Sequence, residues 1–66
     1  MIEIILNGKT QQTSASTVSE LADSLGLTNK RFAVEINQQV IPKAQHQQTQ
    51  LNNLDKVEIV QAIGGG

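Results

Sequence analysis

One stretch of this 66-residue chain carries a clear α-helical apolar period, and strands must cover the face it creates. Val18, Leu21, Ala22 and Leu25 fall at i, i+3, i+4 and i+7, one side of a helix. Ahead of them Thr17-Val18-Ser19-Glu20 fits a capping box, in which the Thr hydroxyl accepts from a backbone N–H three residues on and the Glu reaches back. Gly26 stands where a left-handed C-terminal cap is needed. The spacing predicts a helix over 18–25. A helix that short is not stable alone in water, so its apolar side requires a sheet.

The flanking segments have the period of strands. Met1 to Leu6 places Ile2, Ile4 and Leu6 at alternate positions. Asn7-Gly8 is a strong hairpin signal, because both turn residues need positive φ. Lys9 to Ser14 is then the returning strand, polar enough for an exposed sheet edge. Phe32 to Asn37 alternates again, with Phe32, Val34 and Ile36 on one side and Ala33, Glu35 and Asn37 on the other. Val40-Ile41 is a short extended stub ended by Pro42, which opens a turn of helix. A loop completes 42–50, Leu51 starts a very short strand, and Asn52-Asn53 and Asp55-Lys56 are turn material. The last strand is predicted over 57–63.

If the first and last strands are parallel neighbours, Ile4, Leu6, Val57 and Ile59 meet Val18, Leu21 and Leu25 beneath the sheet. Ile5, Val60 and Ala62 then lie together on the opposite face as a candidate docking patch. The expectation is an α+β fold: a mixed sheet of four or five strands with one main helix on one face. Residues 1–63 form a single domain, and 64–66 a flexible glycine tail.

Composition narrows the chemistry. With one Phe, no Trp and no Tyr, the core must come from Ile, Leu, Val and Ala. Without cysteine there is no disulfide, thiolate metal site or thiol nucleophile. His46 is the sole histidine, and its polar surroundings, Gln45 to Gln50, read as a solvated loop. No nucleophile–base–orienter constellation accompanies it, so the chain is expected to catalyse nothing by itself and to hold no metal. Five Lys/Arg against six Asp/Glu argue against nucleic acid or an acidic membrane surface. No apolar run approaches the roughly 20 residues of a membrane span, and the N-terminus lacks the features of a signal peptide. A cytoplasmic location is expected.

What remains is the end of the sequence. Val57-Glu58-Ile59-Val60-Gln61-Ala62-Ile63 leads directly into Gly64-Gly65-Gly66. Glycine packs nothing and costs the most entropy to order. Three of them make a thin thread that fits a channel too narrow for side chains, tipped by the Gly66 carboxylate.

The order of elements and the terminal glycines resemble ubiquitin-like β-grasp proteins, and among these the ThiS family of sulfur carriers in thiamine biosynthesis. The resemblance covers the whole length. It rests on Leu6-Asn7-Gly8-Lys9, on Thr17-Val18 with Leu21, and on Ala33-Val34-Glu35-Ile36-Asn37. It continues through Val40-Ile41-Pro42-Lys43 and Asp55-Lys56-Val57-Glu58-Ile59-Val60 to the glycines. Three features depart from it: a third glycine, Asn53-Leu54-Asp55 where Asp-Gly-Asp is frequent, and His46 where a large aromatic is common.

The resemblance implies a cycle. An adenylating enzyme of the ubiquitin-activating type (ThiF-like) would use ATP and magnesium to convert Gly66 to an acyl-adenylate. A sulfur donor system would then exchange AMP for sulfur, leaving a thiocarboxylate on Gly66, and a thiazole synthase (ThiG-like) would take that sulfur. Gly64 and Gly65 would form the thread, and the carrier would bind no cofactor itself. Three rivals share the architecture: a sulfur carrier of the molybdopterin type, a ubiquitin-like protein modifier, and a non-covalent β-grasp interaction module. Molybdopterin-type chains tend to carry proline before the glycines, whereas Val60-Gln61-Ala62-Ile63 has none.

Overall fold

The computed structural model describes residues 1–61; Ala62, Ile63, Gly64, Gly65 and Gly66 lie outside the described residues, and with them the expected tail and the last part of the final strand. Alternating apolar residues build β1 (Ile2–Leu6), and Asn7-Gly8 turns it into β2 (Lys9–Thr13). Both turn residues have positive φ, 48° and 83°, as the hairpin signal requires. The helix α1 (Val18–Ser24) follows, then β3 (Phe32–Ile36), β4 (Gln39–Ile41), a 3₁₀ turn at Lys43–Gln45 and β5 (Lys56–Gln61).

The five strands form one mixed sheet in the order β2-β1-β5-β3-β4. β5 lies at its centre, parallel to β1 (Ile5 beside Lys56, Leu6 beside Val57) and antiparallel to β3 (Phe32 opposite Gln61, Ile36 opposite Val57). The expected pairing of first and last strands is therefore present. Ile4, Val18, Leu21, Val34 and Val57 are the largest fully buried side chains. Ile2, Leu6, Phe32, Ile41 and Ile59 pack against that core from the sheet.

The capping box forms with one shift. The Glu20 N–H donates to Thr17 Oγ1 at 3.2 Å, as predicted. The Glu20 carboxylate, however, reaches past Thr17 to Ser16, accepting from its N–H at 2.7 Å and its hydroxyl at 2.8 Å. Thr17 instead joins Gln50 in an isolated antiparallel bridge. The Ser16 N–H, then the Ser16 hydroxyl, hold the Glu20 carboxyl below its ordinary pKa of 4.5. A lowered folded-state value means that this contribution to stability is present above the ordinary value and is lost as pH falls through the folded one. Glu20→Gln should therefore flatten the fall in thermal midpoint below about pH 4.5 relative to the parent chain, as read by melting both across that range.

The far end of α1 corrects the sequence expectation. Leu25 is the C-cap residue and is 41% exposed, so it does not join the core. Gly26, at φ 76°, reverses the chain. Its N–H donates to the Asp23 carbonyl at 3.1 Å, and the Leu27 N–H donates to the Ala22 carbonyl at 3.0 Å. This is the bonding of a Schellman cap, and it brings Leu27 in as the buried residue. Two further differences follow from turns. Asn37 is not the last residue of β3; with Gln38 it forms a positive-φ turn (51° and 71°) into β4. Leu51 is buried but starts no strand.

His46 is the largest correction. It is 6% exposed rather than solvated. Its carbonyl accepts from the Ser19 N–H and the Thr49 carbonyl from the Val18 N–H, both at 3.0 Å, so the loop caps the first turn of α1. The ring lies 5.6 Å from that of Phe32, with Nε2 3.1 Å from the Ile41 carbonyl. The loop is drawn inward because the helix needs its carbonyls.

Candidate functional site

β5 is the strand that leads into residues 62–66, and three asparagines complete the sheet around it. At its start, the Asn37 N–H donates to the Lys56 carbonyl at 2.8 Å, while Asn37 Oδ1 accepts from the Lys56 N–H at 3.0 Å. Asn37 Nδ2 donates to Asp55 Oδ1 at 3.0 Å, and Asp55 Oδ2 accepts from the Asn52 N–H at 2.8 Å. Asp55 is thus buried yet fully occupied, and shapes the turn from which β5 emerges. Asn53 Oδ1 accepts from the Glu3 N–H at 2.9 Å, and the Leu54 N–H donates to the Glu3 carbonyl at 2.6 Å, fixing that turn to β1. Further along, Asn7 Oδ1 accepts from the Ile59 N–H at 2.8 Å and Asn7 Nδ2 donates to the Ile59 carbonyl at 3.3 Å. A side-chain amide carries the same donor and acceptor as a peptide unit, so each can extend a ladder where the backbone turns away.

On the sheet face away from α1, Ile5 and Val60 point the same way, as the register requires. They are not adjacent. Ile5 sits beside Lys56, and Val60 is four residues further along β5, about 13 Å at the rise of a strand. Half-buried Ile5 lines a depression of about 310 Å³ with Gly8, Gln38, Lys56 and Glu58. Val60, 68% exposed, lines another of about 320 Å³ with Arg31, Phe32, Ala33 and Gln61. Between the two, Glu35 and Glu58 face each other across β3 and β5. Ala62 and Gly64–Gly66 lie outside the described residues. The roles of Asn7, Asn37 and Asp55 escape a sequence reading, which marks Asn7 and Asp55 only as turn formers and Asn37 as a strand residue; Asn7 and Ile59 are 52 positions apart.

Among the described residues, no three His, Cys, Asp or Glu side chains come together to hold a metal ion, and no helix is long and apolar enough to cross a membrane. What the geometry provides is a firmly held central strand, described as far as Gln61, which in sequence precedes the terminal glycines. Residues 4–66 match the ThiS family. The chain belongs to the ThiS family. Two relatives of similar length carry the description sulfur carrier protein ThiS. That of Bacillus subtilis is 36% identical, over 92% of this chain and 96% of its own. That of Escherichia coli is 33% identical, over 98% and 100%. A thiazole synthase of Paramagnetospirillum magneticum is 41% identical over 98% of this chain, which spans only 20% of that protein's length. The crystal structure of a ThiS thiamine biosynthesis protein from Geobacter metallireducens superposes with a TM-score of 0.82 at 26% identity, covering 98% of this chain and all of its own. The ThiS fold is accordingly a β-grasp, one helix against a mixed five-stranded sheet.

Proposed function

We propose that this chain is a sulfur carrier of thiamine biosynthesis and that the carboxylate of Gly66 is its reacting group. Full-length similarity to the sulfur carrier proteins ThiS of two bacteria carries the reading. A terminal carboxylate has a pKa of about 3.3–3.7 and is ionised at neutral pH, which makes it a nucleophile but a poor electrophile. One of its oxygens attacks the α-phosphorus of ATP on a ThiF-like adenylating enzyme, and magnesium pyrophosphate leaves. A sulfide-level sulfur from the donor system then attacks the acyl carbon of the adenylate, forming the C–S bond as the acyl C–O bond breaks and AMP leaves with its electron pair. The product is a thiocarboxylate on Gly66, whose sulfur passes to a thiazole synthase. A thiazole synthase containing a segment similar to this whole chain supports that choice of acceptor. The partners supply acid, base and metal; the carrier supplies the acyl group and Gly64 and Gly65 as its side-chain-free approach.

Magnitudes direct the binding energy to the folded domain. Ordering each tail residue costs about 1–2 kcal/mol, and each backbone hydrogen bond to the thread returns only about 0.5–1.5 kcal/mol. The net affinity must come from the sheet face, with Ile5, Val60 and Ala62 as its apolar contacts. Ile5→Asp and Val60→Asp should each weaken binding to the adenylating enzyme by about tenfold or more, equivalent to ~1.4 kcal/mol. Circular dichroism should report an unchanged fold, and unchanged affinity for both variants rejects the patch. The activation step has its own test. Pyrophosphate release by the adenylating enzyme should depend on the chain and stop when the Gly66 carboxylate is amidated. Equal release from the amidated chain would refute Gly66 as the nucleophile.

A further inference from the structure

β5 outruns the strand beside it. The parallel register with β1 ends where Leu6 meets Val57, whereas β5 continues to Gln61. Past Val57, the edge of β5 that faces β1 would have no partner strand. Asn7 fills this place. Its backbone N–H takes the Val57 carbonyl at 2.9 Å, closing the last rung of the ordinary ladder. Its backbone then leaves at φ 48° for the hairpin, and its side chain supplies the next rung, an acceptor for the Ile59 N–H and a donor to the Ile59 carbonyl. On the other edge β3 accompanies β5 as far as Phe32 opposite Gln61. Ile59 is therefore held from both sides, two residues beyond the point at which β1 alone would release it.

We infer that Asn7 is a positioning residue: it fixes the line along which β5 leaves the sheet ahead of the terminal glycines. Its link to chemistry rests on the sulfur-carrier reading, while the clamp itself does not. Ile59 lies two residue steps beyond Val57, on a strand that β3 alone accompanies to Gln61. At no more than about 3.6 Å per residue, the clamp extends the two-sided support of β5 by up to roughly 7 Å. A terminal carboxylate that must meet an α-phosphate within near-attack distance gains from a better-aimed strand. Asn7 touches no reacting atom and acts through Ile59.

The test uses Asn7→Gly, because glycine accepts the same positive φ and Gly-Gly keeps the hairpin turn, so the fold is retained while the clamp is removed. Amide hydrogen exchange in the full chain should then be faster by about tenfold at Ile59, consistent with losing hydrogen bonds of ordinary strength. Val34 and Val57 should change only as the global stability does. With the adenylating enzyme and ATP, kcat should fall several-fold while KM changes little, since the docking face is untouched. Asn7→Asp keeps the acceptor for the Ile59 N–H and replaces the donor by a carboxylate oxygen, so it should restore part of the exchange protection. Unchanged exchange at Ile59 in Asn7→Gly overturns the clamp, and faster exchange with unchanged kcat overturns its positioning role. If the parent chain itself is not activated, the sulfur-carrier reading falls, and the exchange data still decide the clamp.

Discussion

Leu21→Ala should destabilise the domain by about 2–5 kcal/mol, the range for emptying a fully buried leucine position. Leu21 is 1% exposed and belongs to the cluster that joins α1 to Ile4, Val34 and Val57. With no tryptophan or tyrosine in the chain and one phenylalanine, few large side chains stand ready to collapse into the space. Helix propensity does not offset the loss, because alanine and leucine differ by only a few tenths of a kcal/mol. A domain of this size has a single core that rarely provides more than about 3–5 kcal/mol in total. The variant should therefore be substantially unfolded at 25 °C, or melt upward of about 10 °C below the parent, given the shift per kcal/mol of small domains. Leu25→Ala is the matched control. It removes the same atoms one turn later from a residue that is 41% exposed, and should cost less than about 1 kcal/mol. Urea denaturation of the two variants checks the contrast, and equal losses would mean that the core is misassigned.

That contrast also marks the limit of what periodicity reveals. Val18, Leu21 and Ala22 were legible because the helical period brings them to the same face. Leu25 satisfies the same arithmetic, yet the helix ends one residue earlier, and the Gly26 reversal gives its place to Leu27. The hairpin at Asn7-Gly8 was legible because two positive-φ positions are demanding. The matching turn at Asn37-Gln38 lacks the glycine that would announce it. His46 shows a different limit: its burial is set by the Val18 and Ser19 N–H groups, which need carbonyls from a loop remote in sequence. The asparagine clamps on β5 are hidden for the same reason. An amide that completes a ladder is indistinguishable in sequence from one that merely suits a turn. Of the candidate site, Ile5 and Val60 were correctly placed on one face, whereas their separation along β5 followed only from the parallel register with β1.

Removing Gly66 leaves a chain that still ends in a glycine carboxylate, with the same charge and pKa, so its intrinsic reactivity is unchanged. Only reach is lost, up to about 3.6 Å. A misplacement of about 1 Å can cost on the order of 100-fold in a positioned reaction, and the shortened chain should lose at least that much in kcat/KM for adenylation. Its fold and melting temperature should not change. The comparison separates a carrier from an adaptor, since a passive β-grasp module would be indifferent to the loss of one glycine. Near-parental activation of the shortened chain would show that the tail length is not matched to the partner's active site.

The most direct measurement is the intact mass of the chain after incubation with its adenylating enzyme, magnesium ATP and a competent sulfur donor. The expected result is a gain equal to the difference between one sulfur and one oxygen atom, located on Gly66 by fragmentation and absent when ATP is omitted. An unchanged mass under conditions in which the same enzymes load another ThiS protein would contradict it, as would Gly66 recovered only in isopeptide linkage to lysine.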